Sequence, residues 1–233
     1  EGYAKILKSR DIAVHTGISV KDLTTSDKPD VTLRLSDDTQ MTVDRVLVSV
    51  GRRPVVDALN LDAAGIGCTS RGFIEVDDHL STSADGHYAI GDVTGRCLLA
   101  HAATEHAHVV CDNLNGQSRP DHAPIPNAVY SFPEIANVGM TEQDCRRREM
   151  PIEVGSFPVG HLGKAMASRH TEGLVKVIRH MEDGTLLGVA MLGHNATECI
   201  AQATAMLHHR LTVEQAGHIV VAHPTIGESI KEA

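Results

Sequence analysis

The sequence predicts a mixed α/β chain that ends in an α+β unit with a mainly antiparallel sheet. Short β-rich runs separated by polar turns fill its first part, and a segment containing three prolines, 117–126, follows. Beyond that segment, runs of strand length come first and helical stretches come last, an order typical of α+β domains. At about 100–200 residues per domain, the 233 residues allow one large domain or two ordinary ones.

The elements predicted before the proline-containing segment are strands joined by turns, with few helices. The predicted strands are 12–20, 31–35, 43–50 and 88–90. The predicted helices are 3–8, 59–64 and 100–114. A polar turn over 36–39 joins two of the strands, and Asn115-Gly116 ends the last helix.

The elements predicted after this segment are five strands and four helices. The predicted strands are 129–132, 135–138, 154–159, 174–178 and 186–192. The predicted helices are a short one capped by Thr141, then 196–209, 212–218 and 225–231. The residues Glu182-Asp183-Gly184 are typical of a hairpin turn.

Composition excludes several classes of function. Twenty-one Lys and Arg against 30 Asp and Glu give a net charge of -9, which disfavours nucleic acid as a partner. No apolar run approaches the roughly 18–20 residues of a membrane span. The five cysteines are odd in number and widely spaced, which favours a reducing compartment such as a bacterial cytoplasm or a mitochondrial matrix.

The 15 histidines could suggest a metal site. None of the candidate ligands has the spacing of a known metal-binding motif. Several of them are adjacent or two positions apart, which places their side chains on different faces of a helix. These candidates are His101, Glu105, His106, His108 and the pair His208-His209. We expect no metal site, and we expect these histidines to face solvent.

The strongest chemical signal is the stretch AHPTIGE at 222–228. A carboxylate near one nitrogen of an imidazole fixes the tautomer and makes the other nitrogen more basic. Pro224 suits the first turn of a helix, so His223 would stand at the helix entrance while Glu228 folds back toward it. The alternative is a helix-capping histidine beside a solvated glutamate.

Two further stretches could bind a ligand. In YAIGDV at 88–93, Gly91 permits close backbone approach and Asp92 could accept hydrogen bonds from ribose or ribityl hydroxyls; the alternative is an ordinary Asx turn. At 98–103, free N–H groups at a helix start could stabilise negative charge on a bound ring system. The alternative there is simply an apolar helix start.

Taken in order along the chain, these motifs resemble the C-terminal half of a flavin-dependent pyridine nucleotide–disulfide oxidoreductase, most closely of the dihydrolipoamide dehydrogenase type. The resemblance covers essentially all of the sequence. The stretches that carry it are VLVSVGRRP at 46–54, YAIGD at 88–92, LAHAATE at 99–105, YSFPE at 130–134, GMTE at 139–142 and HPTIGE at 223–228.

The resemblance implies an organisation and a set of partners. Residues 1–50 would be the end of an NAD-binding domain, 51–120 the returning part of an FAD-binding domain, and 121–233 an interface domain. Rossmann-like remnants would thus precede an α+β dimerisation domain. FAD and NAD would be the cofactors, and the partners would be a second subunit and a lipoyl-bearing protein of a 2-oxo acid dehydrogenase complex.

The resemblance also implies roles for individual residues. Asp92 would bind the ribityl part of FAD, and Gly51 and Val20 would meet NAD. His223 would be the base that takes a thiol proton from dihydrolipoamide, and Glu228 would orient it. The backbone of four consecutive residues would lie along the flavin: Leu98, Leu99, Ala100 and His101.

The sequence departs from the family pattern in three ways. The closest cysteines, Cys97 and Cys111, are fourteen residues apart, whereas the family's active disulfide joins two cysteines four residues apart. No Gly-rich nucleotide fingerprint is present, and Gly227 replaces the serine usual before the glutamate. We therefore expect this chain alone to be inactive. A stand-alone dimerisation module and a related reductase with another substrate remain as alternatives.

Overall fold

A computed structural model describes residues 2–25 and 30–233 of the chain. They form two compact units, Tyr3–Arg52 and Arg53–Ala233. The chain is mixed α/β with antiparallel sheets, so the predicted fold class is confirmed. Within the described ranges, no helix has both the length and the apolar character needed to cross a membrane.

The first unit combines a helix with a three-stranded antiparallel sheet. The helix is α1 (Gly2–Ser9), and the strands are β1 (Val20–Thr25), β2 (Val31–Leu35) and β3 (Gln40–Val43), paired in the order β1-β2-β3. The central strand supplies the buried residues Leu33 and Leu35. The helix, the middle strand and the turn before β3 are confirmed.

Two predicted strands of this unit are wrong. Residues 12–19 are irregular, and the strand begins only at Val20. β3 ends at Val43, and residues 45–50 form no strand. Leu47 is 93% exposed and Val50 90%. Since no described strand pairs with these residues, a high β propensity alone does not make them a strand.

The second unit begins with turns and one long helix. The 3₁₀ turns are Asp57–Leu59, Leu61–Ala64 and Gly91–Thr94, and the helix is α2 (Ala100–Leu114). Residue Tyr88 makes only an isolated bridge to Ser81, so the predicted strand 88–90 is wrong. A small apolar cluster of Ile66, Ile74 and Ala89 holds these turns together.

A five-stranded antiparallel sheet forms the rest of the second unit. Its strands are β4 (Asn127–Val129), β5 (Glu134–Gly139), β6 (Ile152–Pro158), β7 (Leu174–His180) and β8 (Leu186–Gly193). They are paired in the order β4-β5-β8-β7-β6. Four of the five predicted strands are confirmed, with shifted ends, and 182–184 is the turn of the β7–β8 hairpin. The predicted strand 129–132 is wrong, because β4 ends at Val129 and residues 130–132 form no strand.

Short helices cover this sheet. They are α3 (Glu142–Arg147), α4 (Gly163–Ser168), α5 (Ala196–His208), α6 (Val213–Gly217) and α7 (Glu228–Glu232). Helix α5 packs on β5 and β8, and α7 packs on β6 and β7. The buried Ile226 and Ile230 tie the last helix into the main core, which positions the residues just before it.

Candidate functional site

His223 and Glu228 form a hydrogen-bonded pair at the start of the last helix. The His223 Nδ1 atom lies 2.7 Å from Oε1 of Glu228. The imidazole is 76% exposed, whereas the glutamate side chain is 20% exposed. Nε2 of the ring makes no hydrogen bond with any described residue. One nitrogen is therefore held by the protein, and the other is open to a ligand.

The local backbone, rather than a helical turn, brings these side chains together. Helix α7 begins at Glu228 and not at residue 225, so the prediction that His223 and Pro224 open the helix is wrong. The His223–Pro224 peptide bond is cis. Thr225 donates its hydroxyl hydrogen to the Ala222 carbonyl over 2.8 Å, which closes the turn.

Glu228 is held as a carboxylate. Its Oε2 accepts the backbone N–H of Thr225 over 2.7 Å, and this bond, followed by the one to His223, lowers the pKa of Glu228 below its ordinary value. An ionised acceptor at Nδ1 favours the tautomer in which Nδ1 carries the proton. The Nε2 lone pair is then available to accept a proton, which is the arrangement of a general base.

Ser229 supports this segment from below, and the sequence did not suggest it. Its side chain is fully buried, and its hydroxyl donates to the Ile226 carbonyl over 2.6 Å. A serine after a glutamate carries no pattern of its own, so only the structure identifies it.

The Gly91-Asp92 turn forms a second polar feature. Gly91 has a φ of 71°, a left-handed conformation that glycine adopts without strain. A Cβ on Gly91 would lie 3.1 Å from Cβ of Ala103, so α2 packs directly on this turn. The turn leaves Asp92 exposed, as a residue that binds ligand hydroxyls must be.

The start of α2 lies next along the chain. Leu98 is 37% exposed, and Ala100 and His101 are exposed as well. Leu99 occupies the N-cap position without any side-chain cap. The first N–H groups of the helix therefore have no side-chain acceptor, which suits a polar or negatively charged ligand edge. The His101 Nε2 atom is engaged with the Pro126 carbonyl at 2.7 Å.

His106 is buried, so the expectation that it faces solvent is wrong. Its residue surface is 1% exposed, and Nδ1 accepts the Gly91 N–H over 3.0 Å. The signal that could have identified it is helical periodicity. Ala102 and Val109 lie four positions before and three after His106, and both are buried, so all three share the inner face of α2.

Gly51 and Val20, the predicted NAD contacts, are in the first unit. Gly51 has a φ of 101°, and no atom lies within 4 Å of the position of a Cβ. Val20 is 54% exposed. Both residues therefore have open surface around them, and their role stays a prediction.

Three of the five cysteines have surroundings that disfavour the thiolate. All five are free. Burial raises the pKa of Cys97, Cys145 and Cys199 above the ordinary thiol value, which lowers the thiolate fraction of each. Across residues 2–25 and 30–233, no group of three or more His, Cys, Asp or Glu side chains is arranged to hold a metal ion.

Two family models match the chain. Residues 1–107 match the model described as pyridine nucleotide-disulphide oxidoreductase, and residues 125–233 match the dimerisation domain of the same family. The first match contains the Gly91-Asp92 turn and the start of α2. The second contains His223 and Glu228.

Curated relatives agree with these matches. Dihydrolipoyl dehydrogenase of Thermus scotoductus is 41% identical over 83% of this chain and 42% of its own length. The enzyme of Cupriavidus necator is 36% identical over 98% of this chain and 49% of its own length. The chain thus spans about half the length of the curated relatives that it matches.

A solved structure has the same fold. The HOCl-induced flavoprotein disulfide reductase RclA from Escherichia coli aligns with a TM-score of 0.89 and 27% sequence identity, covering 99% of this chain and 53% of that one. Together with the two family models and the curated relatives, this similarity shows that the chain belongs to the pyridine nucleotide–disulphide oxidoreductase family.

Proposed function

We propose that this chain acts as the C-terminal half of a dihydrolipoamide dehydrogenase, the flavoenzyme that oxidises protein-bound dihydrolipoamide with NAD. The observation that carries the proposal is the His223–Glu228 pair, with Nδ1 bound to the carboxylate at 2.7 Å and the His223 side chain 76% exposed. The names of the curated relatives, at 34–41% identity, support the choice of substrate.

The proposed role of His223 is to take a proton from one thiol of dihydrolipoamide at Nε2. The thiolate sulfur then bonds to one sulfur of the enzyme disulfide, whose S–S bond breaks and leaves the other enzyme sulfur as a thiolate. The second substrate thiol gives its proton to the enzyme thiolate released in the first step and closes the lipoyl ring. Ring closure displaces the other enzyme sulfur, which takes the proton held by His223. The substrate is oxidised by two electrons, and the disulfide, which this chain does not contain, becomes a dithiol.

Glu228 orients the base in this proposal. Because its pKa is lowered by the Thr225 N–H and by His223, it is a carboxylate at every pH at which a neutral imidazole can act. It holds the Nδ1–H tautomer and stabilises the positive charge that forms when Nε2 accepts the proton.

The residues of the second unit fit a flavin. Asp92 is exposed at a tight turn, and the start of α2 has no side-chain cap. We propose that Asp92 binds the ribityl hydroxyls of FAD, and that the backbone of Leu98, Leu99, Ala100 and His101 lies along the ring. When bound, FAD carries the electrons from the dithiol to NAD as a hydride. Gly51 and Val20 are the proposed NAD contacts.

We further propose the domain limits and the assembly. Residues 1–50, 51–120 and 121–233 would belong to the NAD, FAD and interface domains of the parent enzyme. The parent would be a homodimer, as the match of 125–233 to a dimerisation domain suggests. Its other partner would be a lipoyl-bearing protein of a 2-oxo acid dehydrogenase complex.

The test is a His223→Gln substitution in the complete parent enzyme. Since a general base contributes about 10²–10⁴-fold, we expect kcat/KM for dihydrolipoamide to fall by that factor while the bound flavin is retained. The matched control is His218→Gln, because His218 is an exposed histidine of the same region. A near-normal rate for His223→Gln would remove the residue from the mechanism.

A second candidate is a related disulfide reductase acting on another substrate. The observation that favours it is the fold similarity to RclA, which covers 99% of this chain. Steady-state kinetics of the unmodified parent enzyme distinguishes the two candidates. Efficient, NAD-dependent oxidation of dihydrolipoamide supports the first, and no turnover of it by a fully flavin-loaded enzyme supports the second.

A further inference from the structure

His106 joins three segments of the second unit that are distant in sequence. The ring sits on the inner face of α2 and is 1% exposed. Its Nδ1 accepts the Gly91 N–H over 3.0 Å. Its Nε2 lies 3.3 Å from Oδ2 of Asp121, in the proline-containing segment. Both ring nitrogens of a buried histidine therefore face specific partners.

The hydrogen bond to Gly91 defines the tautomer. An Nδ1 atom that accepts an N–H must present its lone pair, so the ring proton is on Nε2. The nitrogen that carries it lies 3.3 Å from the Asp121 carboxylate. The acceptor thus maintains the one tautomer in which His106 can hold Gly91.

Asp121 is itself fixed in place. Its side chain is 9% exposed. The Nη1 atom of Arg96 donates to Oδ2 of Asp121 over 3.2 Å. The backbone N–H of Asp121 donates to the Asp78 carbonyl over 2.8 Å. The second guanidinium nitrogen of Arg96 donates to the Asp77 carbonyl over 2.8 Å. These hydrogen bonds hold the Asp121 carboxylate in place beside His106.

The Gly91-Asp92 turn is held from its buried side by hydrogen bonds of Gly91. The Gly91 N–H goes to His106, and the Gly91 carbonyl accepts the hydroxyl of the buried Thr94 over 2.8 Å. Asp92, the next residue, stays exposed. Such an arrangement fixes the backbone from which the exposed carboxylate projects.

We propose that His106 is a positioning residue for flavin binding: it holds the Gly91-Asp92 turn so that the Asp92 carboxylate meets the ribityl hydroxyls. The proposal rests on the proposed function, because it assumes that Asp92 contacts FAD. His106 itself does not touch the cofactor.

The test uses two substitutions in the complete parent flavoprotein that keep different halves of the imidazole. His106→Asn places its amide oxygen near the position of Nδ1 and can still accept the Gly91 N–H. His106→Gln places its amide group near the position of Nε2 and reaches Asp121 instead. We expect His106→Gln to weaken FAD binding to the apoprotein about tenfold, the order of one buried hydrogen bond, and His106→Asn to weaken it less than threefold.

The readout is the FAD dissociation constant, measured by quenching of flavin fluorescence on titration with apoprotein. Asp92→Asn is made alone and together with His106→Gln. If His106 acts through Asp92, Asp92→Asn costs much less affinity in the His106→Gln background than in the wild type. Equal losses for His106→Asn and His106→Gln, or additive effects with Asp92→Asn, would overturn the proposal, since a purely structural role predicts both.

Different results would contradict the role of Asp92 and the role of His106. If Asp92→Asn leaves the FAD dissociation constant of the wild type unchanged, the assigned role of Asp92 is wrong. If Asp92→Asn weakens binding but shows no coupling to position 106, only the role of His106 is wrong. Should His106→Gln fail to fold, Asp121→Asn removes the charge that maintains the His106 tautomer, and the same coupling to Asp92→Asn is expected at smaller size. Additive effects of Asp121→Asn and Asp92→Asn would then overturn the proposal.

Discussion

Gly95 shows how closely single residues are packed around the Asp92 turn. It follows the 3₁₀ turn with a φ of 67°, and a Cβ at this position would lie 2.6 Å from the ring of Phe73. The Phe73 ring is buried and cannot simply swing away. An added methyl group must therefore displace a ring that belongs to the support of the turn.

We expect Gly95→Ala to lower the free energy of unfolding by about 1–3 kcal/mol more than Gly116→Ala does, because overpacking has costs of that order. Gly116 is a matched control: its φ of 81° also carries the backbone strain, but nothing lies within 4 Å of its Cβ position. Urea unfolding followed by circular dichroism measures both. Equal losses would mean that only the backbone conformation matters at Gly95.

The histidines show how far residue-level prediction reaches. The proximity of His223 to Glu228 could be predicted, because a proline and a turn between them leave few backbone paths. The backbone conformation that brings the two side chains together could not be predicted, since the sequence indicates a helix start where the structure has a turn. The spacing of His106 from the other histidines does not indicate its burial, whereas its spacing from the apolar Ala102 and Val109 decides its environment.

Helix α3 provides a prediction at the level of the element. Thr141 and Asp144 form a capping box: the Asp144 N–H donates to the Thr141 hydroxyl over 3.1 Å, and the Thr141 N–H donates to the Asp144 carboxylate over 3.0 Å. The Thr141 hydroxyl also donates to this carboxylate over 2.5 Å, and this bond, followed by the Thr141 N–H and then by Arg147, lowers the pKa of Asp144 from 3.8 to about 2. The helix start is thus stabilised by a carboxylate that resists protonation.

We expect Asp144→Asn to destabilise the protein by a constant amount above about pH 5 and by less as the pH falls from 4 toward 2. A lowered carboxyl pKa contributes stability that is complete above its ordinary value of 3.8 and is lost as the pH falls through about 2. Urea unfolding at pH 7, 5, 4 and 3 measures the difference, with the exposed Glu182→Gln as control. A difference that did not change with pH would contradict this assignment.

Among whole elements, the sequence predicted those whose partners lie within the chain. Four of the five strands of the large sheet were correctly located, and each has an antiparallel neighbour close in space. The fifth, β4, lies at Asn127–Val129 and not at the predicted 129–132. The predicted strand over 43–50 failed because no described strand pairs with residues 45–50. Local β propensity supplies only a tendency, and a backbone ladder is what makes it a strand.

Across the chain as a whole, some of the groups that the proposed reaction needs are present and the redox-active cysteine pair is not. The chain contains the proposed base, His223, and the proposed flavin-contacting turn, but its five cysteines include no pair four residues apart. We expect the 233-residue chain, supplied with dihydrolipoamide, FAD and NAD, to form no NADH above the protein-free rate. The complete parent enzyme is the positive control. Turnover proportional to the concentration of this chain, and abolished by His223→Gln, would contradict the proposed division.

The contacts of residues 117–126 make this stretch a poor place to cut the protein into fragments. Its prolines and irregular backbone are typical of a linker. It is nevertheless held by hydrogen bonds from Arg119 to Asp112, from Arg96 to Asp121, and from His101 to the Pro126 carbonyl. Truncating the protein there would take away the carboxylate that faces a buried imidazole. The stretch therefore stabilises the second unit and is not a flexible linker. A separately expressed fragment that ends within it would lose these contacts.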